Sequence, residues 1–141
     1  MPDAVDAITS NAGWDTSKHA SFLTEVEVEF KRNGIRNSNI MDPVPSLIEN
    51  AAKTGTHRNE LYTESYAVEY AKGNKGEARK YAEAARTAAE SGLGVNAGHD
   101  LNLDNLNFFV SQVPGVLEVS IGHALISEAR YFGLENVIGM Y

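Results

Sequence analysis

Apolar positions return every three to four residues over two long stretches of the chain, and each stretch is bracketed by residues that start or stop helices. The first predicts a helix from about Ser17 to Arg32, with Ala20, Phe22, Leu23, Val26 and Phe30 as its apolar stripe. Asp15 to Ser17 are its capping candidates and Gly34 its stop. Glu27 falls inside that stripe, where a core residue is expected. The second stretch, from about Gly76 to Ser91, stacks Tyr81, Ala82, Ala85, Ala88 and Ala89 on one side and ends at Gly92. A shorter helix from Pro43 to Lys53 uses Leu47, Ile48, Ala51 and Ala52 and stops at Gly55. Its prolines stay in the first turn, where a missing N–H costs little. Helical pattern returns at Leu103 to Val110 and from Ala124 to the C-terminus.

Four short extended runs lie between: Ile35 to Asp42, Arg58 to Thr63, Leu93 to His99 and Leu117 to His123. Alternation of strand and helix predicts parallel βαβ units rather than a helical bundle or a sandwich. Asn37, Ser38 and Asn39 interrupt the first run, and Asn59 and Glu60 the second. Buried parallel strands usually read as nearly continuous Val, Ile and Leu, so the first half of the chain is weakly specified.

Composition bounds the rest. The 141 residues suit a single domain, 1–141, with 43% hydrophobic and 22% charged residues, near the globular average. A net charge of −7 with scattered Lys and Arg argues against a nucleic-acid partner. The absence of cysteine removes disulfides and thiolate chemistry and fits a reducing compartment, so the cytoplasm is expected. No apolar run approaches a membrane span, and MPDAVDAITS does not read as an export signal.

The most informative motif is an echo. Val95-Asn96-Ala97-Gly98-His99 and Val119-Ser120-Ile121-Gly122-His123 share the form V-x-x-G-H, offset by 24 residues, about one βα unit. This places two Gly-His pairs at the C-terminal ends of neighbouring strands, where α/β folds bind their ligands. Glycine lets a phosphate approach the backbone, the N–H groups of a following helix favour negative charge, and His exchanges protons near neutral pH. One such pair would read as an ordinary βα turn; the repetition favours a ligand site. A metal held by Glu60, His99, Asp100 and His123 is conceivable by ligand type, but no metal-binding spacing accompanies them, so none is expected. His19 and His57 have no motif context and read as surface or structural residues.

Four strings resemble the pyridoxine 5'-phosphate synthase family, in order and with fitting spacing. They are Ile8-Thr9-Ser10-Asn11 with Gly13; Glu60-Leu61-Tyr62-Thr63-Glu64 with Tyr66-Ala67; Val95 to Leu101; and Val119 to Ile126. The resemblance covers nearly the whole chain but only the C-terminal half of the family's pattern. It implies a TIM-barrel-derived (βα)4 half-barrel, with parallel strands and covering helices. The family is a transferase of vitamin B6 synthesis. It condenses 1-deoxy-D-xylulose 5-phosphate with 3-amino-2-oxopropyl phosphate, without a metal or organic cofactor.

By motif position, the resemblance makes His99 the proton donor and Glu60 the residue that stabilises the transition state. Thr9 would contact the deoxyxylulose phosphate, and Asp100, Gly122 and His123 would hold the amino-oxopropyl phosphate. The family's N-terminal catalytic residues have no counterpart here, which leaves open whether the chain alone is an enzyme. The alternative is a catalytically silent phosphate-binding or structural half-barrel. The family is apolar at Asn37, Asn39 and Asn59, so these residues and Glu27 should weaken packing of the first half. An open four-strand sheet would also leave two edges and an inner face for self-association to cover, so a homo-oligomer is expected.

Overall fold

The computed structural model describes residues 5–8, 10 and 12–141. Among them the chain runs α1 (Ala20–Arg32), β1 (Ser38–Met41), α2 (Pro45–Thr54), β2 (Arg58–Tyr62), α3 (Glu64–Ala71), a 3₁₀ turn (Lys75–Glu77), α4 (Ala78–Glu90), β3 (Gly94–Gly98), α5 (Leu106–Gln112), β4 (Val116–Ser120), α6 (His123–Phe132) and α7 (Leu134–Met140). The strands form one sheet in the order β1-β2-β3-β4, every neighbouring pair parallel. Sheet order that follows chain order, with no reversal, is the arrangement of a barrel wall rather than of a doubly wound sheet. The expected (βα)4 half-barrel architecture is present.

One face of the sheet carries the core. Met41, Leu61, Val95 and Ala97 pack beneath Ile48 and Ala51 of α2, the small Ala84, Ala85 and Ala88 of α4, and Phe109 of α5. Alanines let α4 approach closely and leave room for an aromatic cluster, in which the Phe109 ring lies 4.9 Å from that of Tyr66 and 5.4 Å from that of Tyr81. The polar tips of these tyrosines are satisfied. The Tyr81 hydroxyl donates to the Tyr62 carbonyl at 2.9 Å, and the Tyr66 hydroxyl to the Asn105 carbonyl at 2.7 Å.

The other face is polar. Arg58 pairs with Glu118 at 2.8 Å and donates to Asn96 at 3.1 Å, while Arg36, just before β1, reaches Glu118 at 3.0 Å. Burial raises the Glu118 pKa, but the hydrogen bonds and charges of Arg36 and Arg58 outweigh that effect and hold the carboxyl below its ordinary value. This network ties the β1 side of the sheet to β4.

Several expectations need correction. Helix α1 begins at Ala20, and only part of its expected stripe is buried: Leu23 is, and Glu27 within the stripe is too, whereas Ala20, Phe22 and Phe30 are exposed. On α4, Ala89 is exposed and Ala84 is buried instead. β1 is only four residues long. β4 starts and ends earlier than expected, with a bulge at Leu117 in its pairing to β3, and the C-terminal helix is broken in two. Gly133, at φ 83° and ψ 143°, makes that break with a backbone conformation a side chain would resist. Helix α3 was not anticipated. Its mixed Glu-Ser-Tyr-Ala-Val-Glu-Tyr-Ala sequence buries only Tyr66 and carries little periodic signal.

Asn39 and Asn59 lie side by side in the β1–β2 register and face the helices, as strand alternation required. Asn37, Asn39, Asn59 and Glu27 are all buried. Asn37 Oδ1 accepts the His57 backbone N–H at 3.0 Å, yet its Nδ2 finds no partner among the described residues. Nor do Asn39 Nδ2, Glu27 Oε2 or either amide atom of Asn59. Burial raises the Glu27 pKa, and the neighbouring Asn39 and Thr56 side chains, His57 and Lys31 offset this only in part.

Candidate functional site

The cleft is built from the C-terminal ends of the strands and the turns beyond them. β3 ends at Gly98, and His99 and Asp100 then adopt positive φ of 80° and 56°. β4 ends at Ser120, and α6 begins at His123 directly after Gly122. Since β3 and β4 are parallel neighbours, the two Gly-His pairs emerge at the same end of the sheet. They frame a cleft of about 950 Å³ lined by His99, Asp100, Gly122 and His123, together with Tyr62, Glu64 and Ser120.

Among the described residues no side chain caps the start of α6, so none of them engages the N–H groups of its first turn. A Cβ built on Gly122 would meet nothing within 4 Å among the described residues, which leave the space beside it open. Unengaged donors beside open space are what an anion needs at a helix start.

Glu60 stands on the same polar face, next to the cleft rather than in its lining. A Cβ on Gly98 would overlap the Glu60 carboxylate, so a side chain there would have to displace that carboxyl. Burial raises the Glu60 pKa; a hydrogen bond from Ser120 and the nearby His99 oppose the shift, and Glu118 adds to it. A carboxyl that holds its proton above the ordinary range can serve acid–base chemistry closer to neutrality.

Sequence reasoning did not single out Tyr62 and Glu64. The Tyr62 ring lies 4.6 Å from that of His99 and forms one wall of the cleft. Its hydroxyl donates to Glu64 at 2.7 Å, and burial, then this carboxylate, raises the phenol's pKa. The signal was available: two residues beyond Glu60 on one strand, Tyr62 must share its face. Of the residues singled out, His99, Asp100, Gly122 and His123 come together, Glu60 sits beside them, and Thr9 lies outside the described residues.

Four sequential parallel βα units with a cleft at the C-terminal strand ends define a partial TIM barrel. The family model described as pyridoxal phosphate biosynthesis protein PdxJ matches residues 1–141, and the chain belongs to that family. It is 61% identical over 141 residues to the pyridoxine 5'-phosphate synthase of Flavobacterium johnsoniae, 60% identical to that of Christiangramia forsetii and 55% to that of Cytophaga hutchinsonii. In each case the whole chain is covered, but it spans only 59–60% of the relative's length.

Proposed function

We propose that this chain carries the C-terminal share of a pyridoxine 5'-phosphate synthase site, with 1-deoxy-D-xylulose 5-phosphate and 3-amino-2-oxopropyl phosphate as the substrates. The observation that carries this reading is the meeting of both Gly-His pairs around one cleft. Gly122, His123 and Asp100 hold the amino-oxopropyl phosphate, its phosphate on the first-turn N–H groups of α6. His99 donates a proton during ring closure, and Glu60, its carboxyl raised by burial, stabilises the transition state. Thr9 contacts the deoxyxylulose phosphate. No metal or organic cofactor takes part.

The chain acts as a single domain, 1–141, in the cytoplasm, and self-association covers its open sheet edges. No helix among the described residues is long and apolar enough to cross a membrane. Ring closure needs several positioned acids and bases, so the chain alone is expected to form no pyridoxine 5'-phosphate at a rate comparable with a full-length relative. Sustained product formation by the purified chain, lost on His99→Ala, contradicts that expectation. Binding is the sharper test. Calorimetry with glycerol 3-phosphate, a stable three-carbon phosphate, should show an affinity that falls about tenfold in His123→Ala, the loss of one hydrogen bond to a charged group. Equal affinity in parent and variant overturns the assignment.

A further inference from the structure

His99 and Asp100 are consecutive non-glycine residues with positive φ, a conformation uncommon for L side chains that His and Asp adopt more readily than most. Two buried side chains hydrogen-bond to this turn. Thr63 and Asn105 are 0% and 2% exposed, and each aims its side chain at this turn. The Thr63 N–H donates to the Gly98 carbonyl at 2.8 Å, continuing the β2–β3 ladder one residue beyond the end of β2. Its hydroxyl is within donating distance of two carbonyls, that of Gly98 at 2.6 Å and that of His99. A hydroxyl has one proton. That single proton is shared between the two carbonyls, and through it the buried threonine holds the peptide plane between His99 and Asp100.

The next peptide plane is held from the other side, because Asn105 Nδ2 donates to the Asp100 carbonyl at 3.0 Å. Asn105 is itself locked. Its Oδ1 accepts the Asn102 N–H at 2.9 Å, and its own carbonyl accepts the Tyr66 hydroxyl at 2.7 Å. Two side chains from different βα units thus grip successive carbonyls of one turn, whose imidazole is set against the Tyr62 ring.

We propose that Thr63 and Asn105 are positioning residues for His99 and Asp100: by holding the two carbonyls they keep the turn left-handed and direct the imidazole into the cleft. The role in catalysis rests on the synthase reading; the clamp itself does not. It is tested by NMR on the whole 141-residue chain. In the parent, the backbone couplings of His99 and Asp100 report positive φ, the His99 ring protons carry a ring-current shift from Tyr62, and the Thr63 hydroxyl proton is protected enough to observe. Thr63→Val removes the donor while keeping the shape and should abolish both the positive-φ couplings at His99 and the ring-current shift. Thr63→Ser restores the donor and should recover them, while Asn105→Ala should release Asp100.

The proposal is overturned if Thr63→Val keeps the His99 couplings and shift, or if Thr63→Ser loses them equally. Should Thr63→Val not fold, the parent decides: an unprotected, unobservable Thr63 hydroxyl proton overturns the clamp, and an observed one coupled to the His99 carbonyl supports it. None of these readouts uses a ligand. A chain that ignores glycerol 3-phosphate yet loses the His99 conformation in Thr63→Val therefore refutes the synthase reading and leaves the clamp standing.

Discussion

At Asn59 both amide atoms of a fully buried side chain lack a partner among the described residues, beside an Asn39 whose Nδ2 is equally unserved. Desolvating such a group without a replacement bond costs about 1–3 kcal/mol, while an apolar side chain there would add to the core. Asn59→Leu is therefore expected to stabilise the chain by about 1–3 kcal/mol, measured by urea unfolding. Loss of stability would show instead that the amide has a partner.

Glu27 adds a pH dependence. Burial raises its pKa from 4.5, so the folded chain binds this proton more tightly than the unfolded chain does. The stabilisation is complete below pH 4.5 and is lost as pH rises through the raised value. Glu27→Leu has no proton to lose and should gain stability relative to the parent as pH climbs from about 4 towards 8. A difference in melting temperature that stays flat over that range contradicts this. The conflict at Glu27 and the inward-facing asparagines were legible from periodicity alone. Thr63 and Asn105 were not, since their roles depend on contacts across 36 and 5 residues that no local pattern encodes.

Helices divide by how much they bury. α4 buries Ala78, Tyr81, Ala82, Ala84, Ala85 and Ala88, whereas α6 has no buried residue and α7 only Val137. Ile126, Phe132, Leu134 and Ile138 are each more than half exposed. Local opening is governed by buried apolar contact, so amide hydrogen exchange should be slow along α4 and much faster along α6. Equal protection in the two helices would mean that α6 is covered, as self-association would achieve. The sequence showed α4 clearly because its small residues repeat at helical spacing, and it hid α3 because eight mixed residues make no readable stripe. The bulge within β4 was hidden too, because it shifts register without marking composition.

The molecule as a whole is a curtain of four strands with unequal edges. At the β1 edge the Trp14 N–H donates to the Ile40 carbonyl at 2.7 Å, so the preceding segment begins to cover that edge. At the other, Leu117 and Val119 of β4 are 58% and 37% exposed. The cleft is built from the ends of β2, β3 and β4 and their adjoining loops, where both echoed motifs emerge. That is why two echoed motifs in the sequence sufficed to locate it. The central claim is that Gly98-His99 and Gly122-His123 serve one phosphate-binding cleft, and titration of the chain with inorganic phosphate, monitored by amide NMR shifts, tests it most directly. Shifts should centre on Gly122, His123 and Ala124, with a second set at Gly98 and His99, and Gly122→Val, which has open space for its side chain in the folded chain, should remove them. Shifts scattered over distant lysines, or an unchanged response in Gly122→Val, would contradict the account.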